Sequence, residues 1–205
     1  MEKRIITISR EFGSGGRFIG EEVAKKLGIA YYDKNIISQI AKKSGLSPEY
    51  IQESAELSPK KGLLAYALAG RDITGRSVED MVYEAQRNVI LDLAEKEPCV
   101  IIGRNADYIL KDTEGIQLVR AFIYAPNDVR IHNIMESHNL SEKDAKLLLD
   151  EKDKRYHKRH LALTGSNRGD RHNRDILINS DFLGIQGTAE YLEDLIAKKY
   201  GKKEA

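Results

Sequence analysis

A glycine-rich turn between an apolar strand and an amphipathic helix constrains this chain more than any other feature. The turn is FGSGGR, residues 12 to 17, and it follows the apolar run from Ile5 to Ile8. After it, apolar residues recur at helical spacing up to Gly28, a residue typical of helix C-termini. Successive backbone N–H groups in such a turn, followed by a helix N-terminus, form a concave anion site. The pattern predicts a phosphate site formed by Gly13, Ser14, Gly15 and Gly16. The alternative is a tight turn that binds nothing.

The turn departs from the phosphate-binding loop of nucleoside triphosphatases at two positions. Where that loop ends in Gly-Lys-Ser/Thr, this chain has Gly15, Gly16 and Arg17. The missing lysine would contact the β- and γ-phosphates, and the missing hydroxyl would ligate magnesium. Arg10 and Arg17 flank the glycines and could restore the positive charge as planar guanidinium groups. We predict that Arg17, with or without Arg10, replaces the lysine. The rival interpretation is that Arg17 points into solvent.

Composition excludes several classes of protein. The 205 residues, 41% hydrophobic and 32% charged, fit one globular domain with its own core. A formal charge of +1 gives no support to nucleic-acid or membrane binding over the whole surface. The single cysteine, Cys99, excludes an internal disulfide, and the histidines show no metal-ligand spacing, so we expect no metal site built by side chains alone. No signal peptide or membrane span is recognisable, and we expect a cytoplasmic protein.

Short apolar runs alternate with helical patterns along the chain. The runs cover residues 5–8, 29–32, 100–102, 118–124 and 176–178. This alternation predicts an α/β fold, in which a five-stranded parallel sheet carries helices on both faces. Ligands of such sheets bind at the C-terminal ends of the strands. We therefore expect the site among residues 9–17, Asp33, residues 103–107 and the loop before residue 175.

Two segments do not fit the simple alternation. Residues 34–97 are mostly helical, and residues 152–174 are strongly basic. Within the basic segment, Arg155 and Arg159 are four apart and share one face of a helix. Such cations suit a lid that closes on a transferring phosphate. The alternative is a solvated basic helix.

Four stretches together resemble the cytidylate-kinase-like family, which consists of P-loop relatives of the nucleoside monophosphate kinases. They are ITISREFGSGGR, YYDKNII, IIGRNADYIL and TGSNRGDRHNRDILINSDFLG, and they span nearly the whole chain. The resemblance implies a P-loop NTPase fold in a single domain, residues 1–205. It also implies a helical monophosphate-binding insertion at residues 34–97 and a mobile lid at residues 152–174.

The resemblance also implies roles for individual residues. Gly16 falls where true cytidylate kinases have lysine, and Arg17 falls where they have serine. Asp33 matches an aspartate that faces the monophosphate, and Arg155 and Arg159 match the arginines of the lid. The residues matched to acceptor binding are Asp33, Gly103, Arg104 and, two positions beyond the usual aspartate, Asp107.

The position of Arg104 predicts an anionic partner independently of the resemblance. It directly follows a buried strand, where a guanidinium group requires an anion or a carboxylate as its partner. The alternative to an acceptor phosphate is an ion pair with Asp107 or Asp33.

The leading functional hypothesis is an ATP-dependent nucleoside monophosphate kinase, with Mg²⁺ and with a pyrimidine acceptor favoured by the resemblance. Donor phosphates would lie on residues 13–17, and Ser9, Ser14 or Asp33 would help to hold the metal ion. Its expected partners are small-molecule nucleotides, without nucleic acid or membrane, and the sequence does not fix an oligomeric state. The alternatives are a nucleotide-binding regulatory module and a kinase of another small phosphate acceptor.

Overall fold

A parallel sheet of five strands forms the centre of the protein, in the order β2-β3-β1-β4-β5. The computed structural model describes residues 3–54 and 78–201. The strands are β1 (Lys3–Arg10), β2 (Ala30–Tyr32), β3 (Cys99–Ile102), β4 (Ile116–Tyr124) and β5 (Ile176–Asn179). Every neighbouring pair is parallel. The predicted fold class is therefore confirmed.

The central strand β1 brings the predicted site together. Ile8 of β1 pairs in register with Ile102 of β3 on one side and with Ala121 of β4 on the other. The glycine turn after β1 and the Gly103 turn after β3 therefore start at the same edge of the sheet, on adjacent strands.

Helices cover both faces of the sheet, as the alternation predicts. They are α1 (Gly16–Leu27), α2 (Asn35–Ser44), α3 (Pro48–Ser54), α4 (Val78–Lys96), α5 (Ala106–Ile109), α6 (Asn127–His138), α7 (Glu142–Thr164) and α8 (Ser180–Tyr200). Because side chains alternate along a strand, Ile5 packs with α2 and α4, whereas Ile6 and Ile8 pack with α1 and α8. None of the helices in the described part is long and apolar enough to cross a membrane.

Two segments can be compared with what the sequence pattern predicts. In the helical segment 34–97 the structure has α2, α3 and α4. The sequence also predicts loops at 58–62 and 70–75, which lie outside the described residues. Hydrophobic periodicity predicts the last helix only from about residue 188, whereas in the structure it begins at Ser180. The side chain of Asn179 caps it by accepting from the Asp181 N–H, and Gly184, at φ 65°, interrupts the helical geometry. Because of this break, the first turn does not continue the hydrophobic periodicity of the rest of the helix.

Candidate functional site

The glycines of the turn are required by its geometry. Gly13 and Gly15 have φ values of +82° and +75°, in the left-handed region that other residues rarely adopt. A Cβ on Gly13 would lie 2.7 Å from the backbone oxygen of Arg130. Gly16 has no room for a Cβ either, since one would lie 2.6 Å from the Cβ of Arg10. The glycines let this loop, which we call the cradle, pack closely against α6, β1 and β4.

Helix α1 starts at this cradle with free donors. Its N-cap, Gly15, makes no side-chain cap, and its first turn has no acidic residue. Phe18 and Ile19 donate their N–H groups back to the Gly15 oxygen. Within the described residues this leaves the N–H groups of Gly15, Gly16 and Arg17 for a ligand. Such donors at a positive helix end bind phosphate.

Polar side chains hold the cradle from behind. Arg130 of α6 is 3% exposed and donates its Nε–H to the Phe12 oxygen at 2.7 Å. The Asn133 amide donates to the Gly13 oxygen at 2.8 Å, and the Ser180 hydroxyl donates to the Ser14 oxygen at 2.7 Å. Because the carbonyl groups point to these supports, the N–H groups are left on the open side of the loop.

A second turn, after β3, has an unusual backbone. Gly103, Arg104 and Asn105 are consecutive and all left-handed, with φ values of 65°, 56° and 52°. For residues other than glycine this conformation costs about 1 kcal/mol or more each, and it persists where surrounding structure enforces it. The buried Gln86 of α4 does so by donating its amide to the Arg104 oxygen at 2.7 Å. Arg104 is only 5% exposed. The backbone of this turn is therefore held from α4 beside a buried arginine.

The end of β1 and the turn after β3 line one cleft rich in arginine. Its lining residues are Ser9, Arg10, Gly103, Arg104, Asn105, Tyr156, His160, Arg168 and Arg174. Asp107 is a buried carboxylate that contacts this set through an ion pair with Arg174. Ser9 also donates to Asp107, at 3.3 Å. Four guanidinium groups gathered in one cleft suit an anion with several oxygens.

Asp33 and Asp107, the two carboxylates predicted to bind the acceptor, pair with arginines other than Arg104, which was the partner considered from the sequence. Asp33, 7% exposed, lies 2.8 Å from the Nε of Arg17, and Asp107 pairs with Arg174. The close partners of both carboxylates are therefore Arg17 and Arg174. In the structure Arg17 contacts Asp33. A role of Arg17 at the triphosphate stays a prediction.

The predicted lid arginines both lie on α7 but make contacts outside the cleft. Arg155 pairs with Glu151 at 3.2 Å, and Arg159 pairs with Glu79 of α4 at 3.4 Å. Burial lowers the pKa of Arg159. The side chains of α7 that line the cleft are Tyr156 and His160, one position further along the helix. A catalytic role for Arg155 and Arg159 stays a prediction.

Sequence reasoning missed a histidine in this cleft. His160 is buried, and its Nδ1–H donates to the Asn105 side-chain oxygen at 2.8 Å. The available signal was its spacing of four from Tyr156, which places both on one helix face. Burial, with Arg174 and Arg168 nearby, lowers the pKa of His160 from 6.5 to about 4, although Asp107 opposes the shift.

This pKa shift predicts a loss of stability in acid. Between pH 6.5 and about 4 the unfolded chain binds a proton at this histidine and the folded chain does not. Stability from the neutral imidazole is therefore complete above pH 6.5 and falls as the pH approaches 4, by about 1–3 kcal/mol. Urea denaturation at pH 7, 5.5 and 4.5 measures it. We expect a shallower pH dependence for His160→Asn, and the wild-type dependence for His157→Asn, which changes an exposed histidine. Equal slopes in all three proteins would contradict the assignment.

The residues expected to help hold magnesium are engaged elsewhere. The Ser14 hydroxyl donates to the Glu11 oxygen at 2.9 Å, Ser9 donates to Asp107, and Asp33 pairs with Arg17. No group of three histidine, cysteine or acidic side chains could hold a metal ion in the described part of the chain. These residues suit a metal ion that is ligated mainly by phosphate oxygens and water, as Mg²⁺ commonly is.

Comparison with known proteins decides the family. A sequence profile described as the cytidylate kinase-like family matches residues 5–182. The chain belongs to the cytidylate kinase-like family. Among its relatives, cytidylate kinase of Pyrococcus horikoshii is 28% identical over 188 residues, which cover 91% of this chain and 84% of that protein. Cytidylate kinase of Thermococcus sibiricus is 26% identical over 202 residues, which cover 98% and 92%.

Solved structures place this member of the cytidylate kinase-like family among kinase folds. An uncharacterized protein from Eubacterium ventriosum superposes with a TM-score of 0.67 at 26% identity, covering 98% of this chain and 100% of that one. Shikimate kinase from Bacteroides thetaiotaomicron superposes with a TM-score of 0.54 at 14% identity, covering 96% and 99%, which shows the fold alone. Family and fold together support a kinase-like phosphotransferase.

Proposed function

We propose that this protein transfers the γ-phosphoryl group of ATP to a nucleoside monophosphate, with a pyrimidine base favoured. One observation carries the proposal: a cradle of backbone N–H groups follows β1, and a cleft of arginine side chains is lined by the end of β1 and by the turn after the adjacent parallel strand β3. A triphosphate on the first and a phosphate on the second would bring the reacting groups together. Cytidylate kinases among the relatives support the choice of acceptor.

The donor side suits a nucleotide better than a free phosphate. Large apolar side chains are exposed close to the cradle, with Phe182 at 84%. A Cβ on Gly15 would lie 3.3 Å from Ile185, so this patch borders the phosphate position. Apolar and aromatic side chains of this kind pack against a nucleotide base. ATP would lie with its phosphates on residues 13–17 and its base on this patch.

The acceptor side suits a monoester phosphate. Arg104 and Arg174 are buried at the cleft, and planar guanidinium groups bind phosphate oxygens in pairs. Asp107, which pairs with Arg174, would hold that arginine in place at the cleft. Asp33 pairs with Arg17 beside the cradle.

In the reaction, an ionised oxygen of the acceptor phosphate attacks the γ-phosphorus of ATP. The bond from that phosphorus to the β–γ bridging oxygen breaks, and ADP leaves with the bonding electron pair. The products are ADP and a nucleoside diphosphate, and no external base is needed. The protein contributes position and positive charge, while Mg²⁺ bound to the phosphates would neutralise charge on the leaving oxygen.

Closure of the site would involve the segments at 34–97 and 152–174. The cleft encloses about 20 Å³, which is room for about one water molecule. A phosphate therefore enters only when side chains of α7 or of the turn after it move. We assign this movement to residues 152–174, as the basic lid. Residues 34–97 would cover the acceptor, because Gln86 of α4 supports the Arg104 turn.

A coupled assay of ADP release tests the proposal. We expect ATP-dependent turnover with CMP or UMP, slower turnover with AMP and GMP, and loss of at least about a hundredfold in kcat/KM for Arg104→Gln. Lys25→Gln, which removes an exposed positive charge in the last turn of α1, is the control and should retain wild-type turnover. ATP binding without turnover on any monophosphate would favour a regulatory module instead. Activity confined to an acceptor that is not a nucleotide would indicate another kinase.

A further inference from the structure

Two positions of the glycine loop exclude each other's side chains. A Cβ added to Gly16 would lie 2.6 Å from the Cβ and 3.2 Å from the Cγ of Arg10, and 3.0 Å from the Cβ of Ile123. Separations below 3.0 Å force a shift, and here the nearest atom is the inner end of a side chain, close to the backbone. Position 16 therefore has space for a side chain only if position 10 has none.

The same two positions are the first glycine and the lysine of a Walker A loop. In G-x-x-x-x-G-K-[ST] the first position is glycine and the seventh is lysine. Counting from Arg10, this chain has arginine at the first position and glycine at the seventh. Positions 10 and 16 of this chain therefore still carry one glycine and one cation, but in the opposite order.

The Arg10 side chain is directed into the arginine cleft. Arg10 is the last residue of β1 and lines the cleft together with Arg104. Its guanidinium carbon lies 5.9 Å from the centre of the Tyr156 ring, and Arg168 donates to its backbone oxygen. The Cβ of Arg10 thus lies beside Gly16 of the cradle, and Arg10 lines the same cleft as the turn at Gly103. A γ-phosphoryl group in transfer would pass through this region.

We propose that Arg10 supplies the cation that lysine supplies in a Walker A loop, and that residue 16 is glycine because Arg10 occupies its space. This inference rests on the proposed function and names the residue that contacts the β- and γ-phosphates. Arg17 pairs with Asp33 at 2.8 Å and is not among the residues that line the cleft. A guanidinium group at position 10 can contact two phosphate oxygens at once through its planar fork.

Reciprocal variants test both halves of the inference. The proteins are wild type, Arg10→Gly, Gly16→Lys and the double variant Arg10→Gly/Gly16→Lys. The measurements are the affinity for a non-hydrolysable ATP analogue with Mg²⁺, by calorimetry, and the melting temperature. We expect Arg10→Gly to weaken the triphosphate affinity about ten- to a hundredfold, and Gly16→Lys to lower the melting temperature because of the clash with Arg10. The double variant should recover both quantities in large part, which is a non-additive result.

The controls separate charge from structure. Arg10→Lys keeps the cation and should retain more affinity than Arg10→Gly, while Lys25→Gln removes an exposed positive charge in the last turn of α1 and should bind as wild type does. Triphosphate binding that is equal in wild type and Arg10→Gly would overturn the inference and leave the proposed function standing. A double variant with no recovery of melting temperature over Gly16→Lys would also overturn it. Failure of the wild type to bind the analogue would overturn both proposals.

Discussion

Replacing Arg130 with methionine is expected to lower the free energy of unfolding by about 3 kcal/mol and to weaken triphosphate binding. Arg130 is buried and donates two hydrogen bonds of 2.7 Å to Asp153, besides the bond to the Phe12 oxygen. Methionine can fill much of the volume but leaves these acceptors unpaired. The side chain of Asp153 is 39% exposed, so water compensates for part of the loss. Urea denaturation at pH 7 measures the change.

Arg120→Met is the matched control for this variant. Arg120 also forms a forked pair, with Asp175 at 2.9 Å and 3.2 Å, but both side chains are about 30% exposed. Pairs with this exposure contribute about 1 kcal/mol or less. Arg130→Met and Arg120→Met with equal effects on unfolding would show that Arg130 has no special part in holding the cradle.

The buried pair of Asp107 and Arg174 gives the second large expected effect. Removing either partner leaves the other charge buried at 3% exposure of its side chain, and each of Asp107→Leu and Arg174→Met should cost about 3–5 kcal/mol. Replacing both removes the unpaired charge, so the double variant should lie within about 1 kcal/mol of the wild type. It should still lack kinase turnover, because Arg174 lines the acceptor cleft. Additive losses of stability in the double variant would contradict this account.

The sequence predicts the edge of the sheet that carries the site, because strands and glycines leave strong local signals. Gly13 and Gly15 are left-handed, as a turn of this kind needs, and Gly103 follows β3 at the same edge. The ion-pair partners of the charged residues could not be predicted from the sequence. Asp107 and Arg174 are separated by most of the second half of the chain, and only the packing of β5 beside β4 brings them together. Helical spacing likewise placed Arg155 and Arg159 on one face without showing that the face toward the cleft carries Tyr156 and His160.

The close approach of positions 10 and 16 has a consequence for descent. A loop with lysine at position 16 and this loop differ at both positions, and the 2.6 Å separation destabilises a state with side chains at both. The route of single substitutions that avoids this clash passes through an ancestor with glycine at both, which has neither cation. Such an intermediate would bind nucleotide weakly and survive where selection on turnover was relaxed, for example in a duplicated copy. Once arginine is present at position 10, a return to lysine at position 16 would require the same intermediate without a cation, so the two lineages would remain separate.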